Sequence, residues 1–333
     1  NHEVEVLLPA TRLLDLSEIT GSIGRLTADG NTALYAGTEQ GLQEALKFLD
    51  RGRVNRVILI SDGLANVGPS SPQEVAELGR RAAAKGISIT TIGLGLGYNE
   101  DLMAKLAYAS DGNHAFVERA DQLVKIFDRE FGDVLSVVAQ ELIIKIDCHD
   151  GFKPLRALGR EAQIKGSTIT ARLNQLYGKQ QKYIVVELEV PEGARLGTLP
   201  VADVEVSYMN LATRSQASVK TTVSATLTDR KDVEEASLNK AVMADVTTQI
   251  ANEVNEQAVE LRDKGDIVQA RSLLEGNAAY LKREAGRLAA PALESMAGAV
   301  ASDAAALDDE AAWGKTRKAM RANQHNLKTQ QSY

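Results

Sequence analysis

Apolar residues in the first part of the chain occur either in short unbroken runs or in stretches with helical spacing. The clearest run covers residues 57–60 and stops at Ser61-Asp62-Gly63. Short runs of β-branched residues suit strands that are buried on both faces. Strands and helices that alternate at this spacing are typical of an α/β fold with a doubly wound, Rossmann-like parallel sheet. The other predicted strands are residues 3–8, 87–92 and 114–117, and the predicted helices are residues 37–50, 72–85, 100–109 and 120–135.

The hydrophobic period changes to two between about residues 137 and 229. Apolar side chains at Leu142, Ile144, Ile146 and Cys148 alternate with polar ones, and the same alternation returns further along the chain. Several short strands separated by Gly, Pro and Asn turns predict an antiparallel β-sandwich. The later alternating segments are residues 184–190, 204–208 and 219–227.

The remainder of the chain has helical spacing. One apolar stripe ends at Lys264-Gly265, and Asp266 is placed to cap the next helix, so the two helices form an αα-hairpin. Residues 313–333 then carry five Lys or Arg side chains and no acid. We therefore predict three domains: an α/β domain at residues 1–135, a sandwich at 136–229, and a helical hairpin with a basic tail at 230–333.

The composition narrows the classes of protein to which the chain can belong. The 333 residues carry a net charge of −7, which argues against nucleic-acid binding because phosphate contacts need clustered Lys and Arg. No apolar run approaches the roughly 20 residues of a membrane-spanning helix, so we expect no membrane span in this chain. The single cysteine, Cys148, cannot form an internal disulfide, which favours a reducing compartment. We accordingly expect a cytoplasmic protein.

Candidate chemistry lies where the buried strands end, because ligands of an open parallel sheet bind beyond the carboxyl ends of its strands. Asp62 ends the clearest strand, and Thr32 lies in a turn just ahead of a predicted helix. Their side chains offer the hard oxygen donors that Mg²⁺ prefers. A strand-end Asp can equally be a capping or turn residue, so the pattern alone leaves both interpretations open.

Four segments of the first part of the chain form a further pattern: residues 3–9 (EVEVLLP), 29–37 (DGNTALYAG), 57–66 (VILISDGLAN) and 91–103, which contains TIGLG and NEDLM. In this order they resemble the von Willebrand factor type A (VWA) domain. The resemblance extends from the family's third strand to about Phe131. The order of strands and helices that follows resembles a bacterial architecture in which a β-rich domain and a C-terminal helical hairpin come after the VWA domain.

The resemblance implies a metal-ion-dependent adhesion site (MIDAS). It assigns the threonine of the site's second loop to Thr32 and the aspartate of its third loop to Asp62. In that family an acidic residue of a partner protein completes the coordination of the bound Mg²⁺.

The family's first loop, Asp-x-Ser-x-Ser, has no match in this chain. Residues 15–19 (DLSEI) lack the second serine and lie on the wrong side of Thr32. We expect the chain to lack the first strands of the domain, so that its length is a lower bound on the natural length. Mg²⁺ or Mn²⁺ is then expected to bind only if the loop is supplied by an upstream segment or by another chain.

Three other patterns have structural interpretations. The glycines of residues 93–97 lack the G-x-G-x-x-G spacing and indicate a tight turn rather than a nucleotide loop. Alternation directs Cys148 inward and its neighbours Asp147 and His149 outward, which favours a buried cysteine over a metal ligand. The cations of the tail are interpreted as a solvated helix face rather than as a surface for an acidic partner.

These observations predict a metal-dependent protein-interaction or adhesion module. An enzyme is not expected, since the sequence shows no nucleophile–base pair, no paired carboxylates and no phosphate loop. The expected partner is a protein that offers an acidic residue to the metal, and a homo-oligomer stays open. The alternative is a structural subunit that self-assembles through the sandwich and the tail, with a vestigial metal site.

Overall fold

The computed structural model describes residues 3–10, 16–27, 31–149 and 151–331. The chain divides into two compact units, residues 1–140 and residues 141–332. The first unit contains a parallel sheet in the order β1-β2-β3 together with its helices, which confirms the predicted α/β fold. Its elements are α1 (Leu16–Ile23), α2 (Leu34–Leu46), β1 (Asn55–Ser61), α3 (Pro72–Ala83), β2 (Ile87–Leu94), α4 (Glu100–Ala109), β3 (His114–Val117), a 3₁₀ turn (Ala120–Gln122) and α5 (Leu123–Ser136).

Strand β2 lies at the centre of this sheet and is buried along nearly its whole length. Its apolar side chains pack with those of α2, α3 and α4 in one core. Strand β1 lies at an edge, and its side chains are mostly only half-buried although its sequence is the more hydrophobic run. Its Ile60 is 44% exposed. The difference in burial follows from position in the sheet, because a central strand is covered by a neighbour on each side.

Local signals determine where the helices of this unit begin. Ser71 caps α3 by accepting from the Glu74 N–H, while the Glu74 carboxylate accepts from the Ser71 N–H. Pro72 occupies the first turn, where its missing N–H costs nothing. Asn99 caps α4 by accepting from the Leu102 N–H. These caps satisfy backbone donors that the helices themselves leave unpaired.

The strand predicted at residues 3–8 is wrong. The structure describes these residues as coil and bends, and most of them are exposed. An alternating sequence forms a strand only when a neighbouring strand accepts its backbone hydrogen bonds. Among the described residues, no strand pairs with this segment.

A buried ion pair joins α5 to the sheet. The Glu130 carboxylate of α5 and the Arg56 guanidinium of β1 are 2.8 Å apart, and both side chains are almost fully buried. Thr90 of β2 donates to the same carboxylate at 2.7 Å, and Asn113, just before β3, donates to its other oxygen. One side chain of α5 therefore contacts residues of two strands and the residue that precedes the third.

The second unit begins with two sheets. The larger has the strand order β10-β9-β4-β7-β6 and the smaller pairs β5 with β8. Side chains of both sheets share one apolar core that includes Ile146, Cys148 and Ile169, with Val186 and Leu188 packed against it. The predicted antiparallel sheets are confirmed, but β5, β6 and β7 were not identified from the sequence. The strands are β4 (Val137–Cys148), β5 (Lys153–Leu158), β6 (Ala162–Lys165), β7 (Thr168–Tyr177), β8 (Val185–Glu189), β9 (Gly197–Asn210) and β10 (Ser215–Leu227).

Helices make up the rest of this unit. The predicted hairpin is formed by α7 and α8, and Asp266 caps α8 by accepting from the Gln269 N–H. Two further helices complete a single apolar core that contains Leu274, Leu281 and Trp313. The helices are α6 (Lys231–Ser237), α7 (Lys240–Asp263), α8 (Ile267–Leu288), α9 (Pro291–Ala306) and α10 (Glu310–Thr329). No helix in the described part of the chain is both long and apolar enough to cross a membrane.

The interpretation of the basic tail as a solvated helix face is wrong. The tail forms α10, in which Lys318 is buried. Arg317 lies 2.7 Å from Asp263, and Lys328 lies 2.7 Å from Glu256. Both acids belong to α7, so two cations of the tail are paired within the unit by residues that are distant in sequence.

Polar contacts join the strands of this unit to its helices. Arg160, between β5 and β6, donates to the Thr329 carbonyl at 2.8 Å. Gln249 of α7 donates both to the Tyr183 hydroxyl and to the Leu327 carbonyl. The strands and helices therefore form one compact unit, and the domain boundaries placed at residues 135 and 229 stay predictions.

The Glu130–Arg56 pair generates a stability prediction. Glu130→Leu leaves a buried guanidinium without its counter-charge, and we expect the free energy of unfolding to fall by about 3–5 kcal/mol. Urea unfolding followed by far-UV circular dichroism measures this loss. The control is the double variant Arg56→Met/Glu130→Leu, which removes both charges and should lose less. A double variant as unstable as the sum of the two single variants would contradict the coupling.

Asp303 of α9 generates a pH prediction. Burial raises the pKa of its carboxyl to about 6, so the folded state binds this proton more tightly than the unfolded chain does. The stability linked to protonation is present below about pH 4 and is lost as the pH rises through 6. Asp303→Asn should therefore gain about 1–3 kcal/mol relative to the native chain between pH 4 and pH 7.

Urea unfolding monitored by fluorescence of Trp313, the single tryptophan, measures this difference at each pH. Glu294→Gln is the matched control, because Glu294 lies exposed on the same helix. The prediction fails if the two variants show the same pH dependence.

Candidate metal-binding site

Asp62 lies at the carboxyl end of β1. Strands β1 and β2 are parallel with Ser61 opposite Gly93, so the segments that follow them emerge at the same edge of the sheet. The Asp62 side chain is exposed, whereas Ser61 is buried and its hydroxyl donates to the Gly63 carbonyl at 3.2 Å. The turn after β1 thus presents one carboxylate to solvent.

Thr32 lies beside this turn. Its hydroxyl oxygen is so close to Gly63 that a Cβ atom at that position would come within 2.7 Å of it. A side chain at residue 63 would displace the Thr32 hydroxyl, which lies against the residue that follows Asp62. The structure therefore brings together the segments that carry the two predicted site residues. Asp29 and Gly30 of the same motif lie outside the described residues.

Asn66 holds the two segments together. Its side-chain oxygen accepts from the Thr32 backbone N–H at 2.7 Å, and its backbone N–H donates to the Thr32 carbonyl at 3.2 Å. Its side-chain amide also donates to Asn31 at 3.2 Å. No role for Asn66 was predicted from the sequence. The available signal was an Asn four residues after Asp62, a residue type that often bonds to backbone in turns.

The segment after β2 packs behind the turn. A Cβ at Gly97 would come within 2.6 Å of the Asp62 carbonyl oxygen, and one at Gly93 would overlap the Tyr98 ring. Tyr98 is buried, and burial raises the pKa of its hydroxyl. Gly95 has a φ of +68°, which favours glycine. These glycines permit close packing and a tight turn, in agreement with the structural interpretation of the sequence.

The donors present at this edge match the kind of ligand that Mg²⁺ prefers but not the number. Asp62 supplies a carboxylate and Thr32 a hydroxyl, both hard oxygen donors. Within the described ranges, no group of three or more His, Cys, Asp or Glu side chains could hold a metal ion. An octahedral ion needs about six ligands, so these two residues fit part of a site. Their assignment as metal ligands stays a prediction.

The second set of metal-capable side chains diverges. Cys148 lies in the core, and burial raises the pKa of its thiol. Asp147 accepts from Lys145 and from Thr168, and the hydrogen bond from Lys145 lowers the pKa of its carboxyl. Asp150 lies outside the described residues. His149 lies 3.2 Å from Asp203, so both described neighbours of Cys148 have other partners, which supports a structural cysteine.

Comparison with known proteins identifies the N-terminal part of the chain. Residues 1–129 match the family model "von Willebrand factor type A domain". This part of the chain is therefore a VWA domain, as the four sequence motifs predicted. Membership of this family indicates a protein–protein interaction or adhesion module.

Two bacterial relatives are similar in sequence. The chain is 29% identical over 143 residues to the uncharacterized protein YfbK of Escherichia coli (strain K12), a match that covers 43% of this chain and 25% of YfbK. It is 24% identical over 198 residues to the uncharacterized protein sll0103 of Synechocystis sp., covering 56% of this chain and 46% of that relative. The chain thus spans less than half the length of each.

Solved structures share the fold over most of the chain. A von Willebrand factor type A protein from Catenulispora acidiphila superposes with a TM-score of 0.69 at 14% identity, covering 85% of this chain and 66% of that one. The ArnB paralog VWA2 from Sulfolobus acidocaldarius gives a TM-score of 0.56 at 15% identity, covering 90% of this chain and 70% of that one. At these identities the similarity shows the fold alone.

The contacts of Asn66 generate a prediction about the Thr32 segment. Asn66→Ala removes the acceptor for the Thr32 N–H, and we expect the exchange protection of that amide to fall about fivefold. The loss corresponds to about 1 kcal/mol for one hydrogen bond. Amide hydrogen exchange by NMR measures it. Asn66→Asp is the control, since it keeps an oxygen acceptor and should keep most of the protection. Unchanged exchange in the Ala variant would contradict the role given to Asn66.

Proposed function

We propose that the VWA domain binds a partner protein through a divalent cation, Mg²⁺ or Mn²⁺, held in part by Thr32 and Asp62. The observation that carries the proposal is the close approach of the Thr32 hydroxyl to the turn that presents Asp62. A carboxylate and a neutral hydroxyl neutralise only part of the charge of a divalent ion. The cation therefore keeps affinity for a further anion, and a carboxylate of the partner is the hard oxygen donor that suits it.

The proposal includes further ligands beyond these two residues. Two donors leave most of the positions of an octahedral ion to other oxygens. We propose that an Asp-x-Ser-x-Ser loop outside this sequence supplies protein ligands, and that water and the partner carboxylate fill the remaining positions. In this proposal the domain binds its partner and catalyses no reaction.

The surroundings of Asp62 support a protein as the partner. Leu64 follows Asp62 in its turn and is 60% exposed, and Leu96 follows β2 and is 57% exposed. Because Ser61 pairs with Gly93, both leucines belong to segments at the same edge of the sheet. Exposed apolar side chains around a polar centre provide contact area that a small anion would not need.

Metal binding by the natural protein tests the proposal. We expect Asp62→Ala and Thr32→Ala each to weaken Mg²⁺ binding at least about tenfold in isothermal titration calorimetry, since each variant removes one oxygen ligand. Thr32→Ser keeps the hydroxyl and should bind nearly as well as the native protein. Asp128→Asn, at an exposed carboxylate of α5, is the matched control for lost charge.

Partner binding provides the second measurement. Immobilised protein should retain a partner in Mg²⁺ and release it in EDTA, and the Asp62→Ala variant should not retain it. Native Mg²⁺ affinity in both alanine variants, or capture that persists in EDTA, would refute the proposal.

A further inference from the structure

Strand β10 leaves a long edge of the larger sheet uncovered. It spans 13 residues and, among the residues that the structure describes, is the terminal strand of the sheet and pairs with β9 alone. The strand at the other edge, β6, has only 4 residues. In an edge strand, alternate backbone N–H and C=O groups point away from the sheet and can pair with another strand. The sheet thus has one long edge and one short edge.

The usual protections of an edge strand are almost absent from β10. The strand has no proline, and Lys220 is its single charged residue. The register of the hairpin shifts between Val223 and Ser224, but the extra residue belongs to β9, so the backbone of β10 is uninterrupted. All residues of β10 except Ala217 and Leu227 are exposed. Long exposed edges of this kind readily pair with another strand.

The two faces of β10 differ in chemistry. On one face Lys220 pairs with Glu205 of β9 at 3.1 Å, and Thr222 donates to Asp203 at 2.6 Å. On the other face Val219 and Val223 are 58% and 47% exposed. Side chains that oppose each other in an antiparallel pair share a face. A partner strand therefore fits best with apolar residues opposite these valines and with a residue other than Lys or Arg opposite Lys220.

We propose that two copies of this chain associate by antiparallel pairing of their β10 strands about a two-fold axis at Thr221. Thr221 is the middle residue of the strand, and the two exposed valines lie symmetrically on either side of it. This register pairs the full length of both strands. It places Val219 of each copy opposite Val223 of the other and Lys220 opposite Thr222.

Neighbouring registers fit less well. An axis at Lys220 sets two like charges directly opposite each other, which is destabilising. An axis at Val219 leaves the last residues of each strand unpaired. An axis between two adjacent residues sets the apolar face of one strand against the polar face of the other. The sequence of β10 therefore complements itself best about Thr221.

A second copy is favoured over an unrelated strand because this pairing closes on itself. Each copy contributes its one long edge, and the two-fold axis uses both at once. In the described part of each copy, the joined sheet then ends at the short β6 strand, which leaves no long edge of this sheet for further addition. The association involves no residue of the candidate metal site and does not depend on metal.

Cysteine cross-linking of the full chain tests the register, in a Cys148→Ala background. Residues directly opposite in an antiparallel pair have Cα atoms about 4.5–5.5 Å apart, within the range of a disulfide. Thr221→Cys should therefore form a disulfide-linked dimer with itself under mild oxidation. Ala217→Cys should not link to itself but should link to Ala225→Cys in a mixture of the two variants. Equal self-linking of all three variants would overturn the proposed register.

Light scattering after size-exclusion chromatography tests the association itself. The native chain should show a concentration-dependent dimer mass, unchanged by EDTA. Thr221→Lys places two like charges opposite each other and should raise the dimer dissociation constant at least tenfold. Val268→Lys is the matched control, because Val268 is 80% exposed on α8 and lies outside the proposed contact. Circular dichroism checks that both variants fold. A monomer at all concentrations, or a dimer insensitive to Thr221→Lys, would overturn the proposal.

Discussion

The buried carboxylate of Glu130 is the contact on which the arrangement of the first unit depends. It binds Arg56 of β1, Thr90 of β2 and Asn113 just before β3, so a single helix residue is linked to two strands of the sheet and to the residue that precedes the third. A buried charge without partners costs several kcal/mol, which makes any arrangement that separates these groups unfavourable. Hydrophobic packing alone would tolerate small shifts between strands, because it has no preferred direction. The hydrogen bonds of this carboxylate do not tolerate such shifts, because they are directional.

The alignment of the strands also positions the turn at the opposite end of β1. Because Ser61 lies opposite Gly93, the turn that carries Asp62 packs against the segment that carries Gly97. Asn66 then holds the Thr32 segment to that turn with hydrogen bonds in both directions. The candidate site is thus a set of exposed donors supported by closely packed glycines and one asparagine, which is an arrangement suited to binding at the edge of a sheet.

The second unit combines two kinds of contact. Alanine and leucine side chains fill the core shared by its long helices, and this packing provides non-directional stabilisation. The contacts between strands and helices are instead polar, through Arg160, Gln249 and the carbonyl groups near the end of α10. Directional contacts of this kind determine where α10 lies. The same unit leaves β10 exposed. The chain therefore offers two different surfaces, which are the sheet edge with the candidate metal-binding site in the first unit and the edge strand β10 in the second.

The sequence by itself determined the strands around residues 57–60, 87–92 and 114–117, the α7–α8 hairpin and the identity of the VWA domain. These depend on patterns within a few neighbouring residues. The tertiary structure alone decided what needs a distant partner. Residues 3–8 alternate but have no strand beside them among the described residues, and Arg317 and Lys328 of α10 are paired by acids of α7. Thr32 and Asp62 were identified by resemblance, whereas Asn66 was not, because its role is a hydrogen bond across 34 positions of sequence. Periodicity reports which face of a segment is buried, and only the folded chain shows what lies against it.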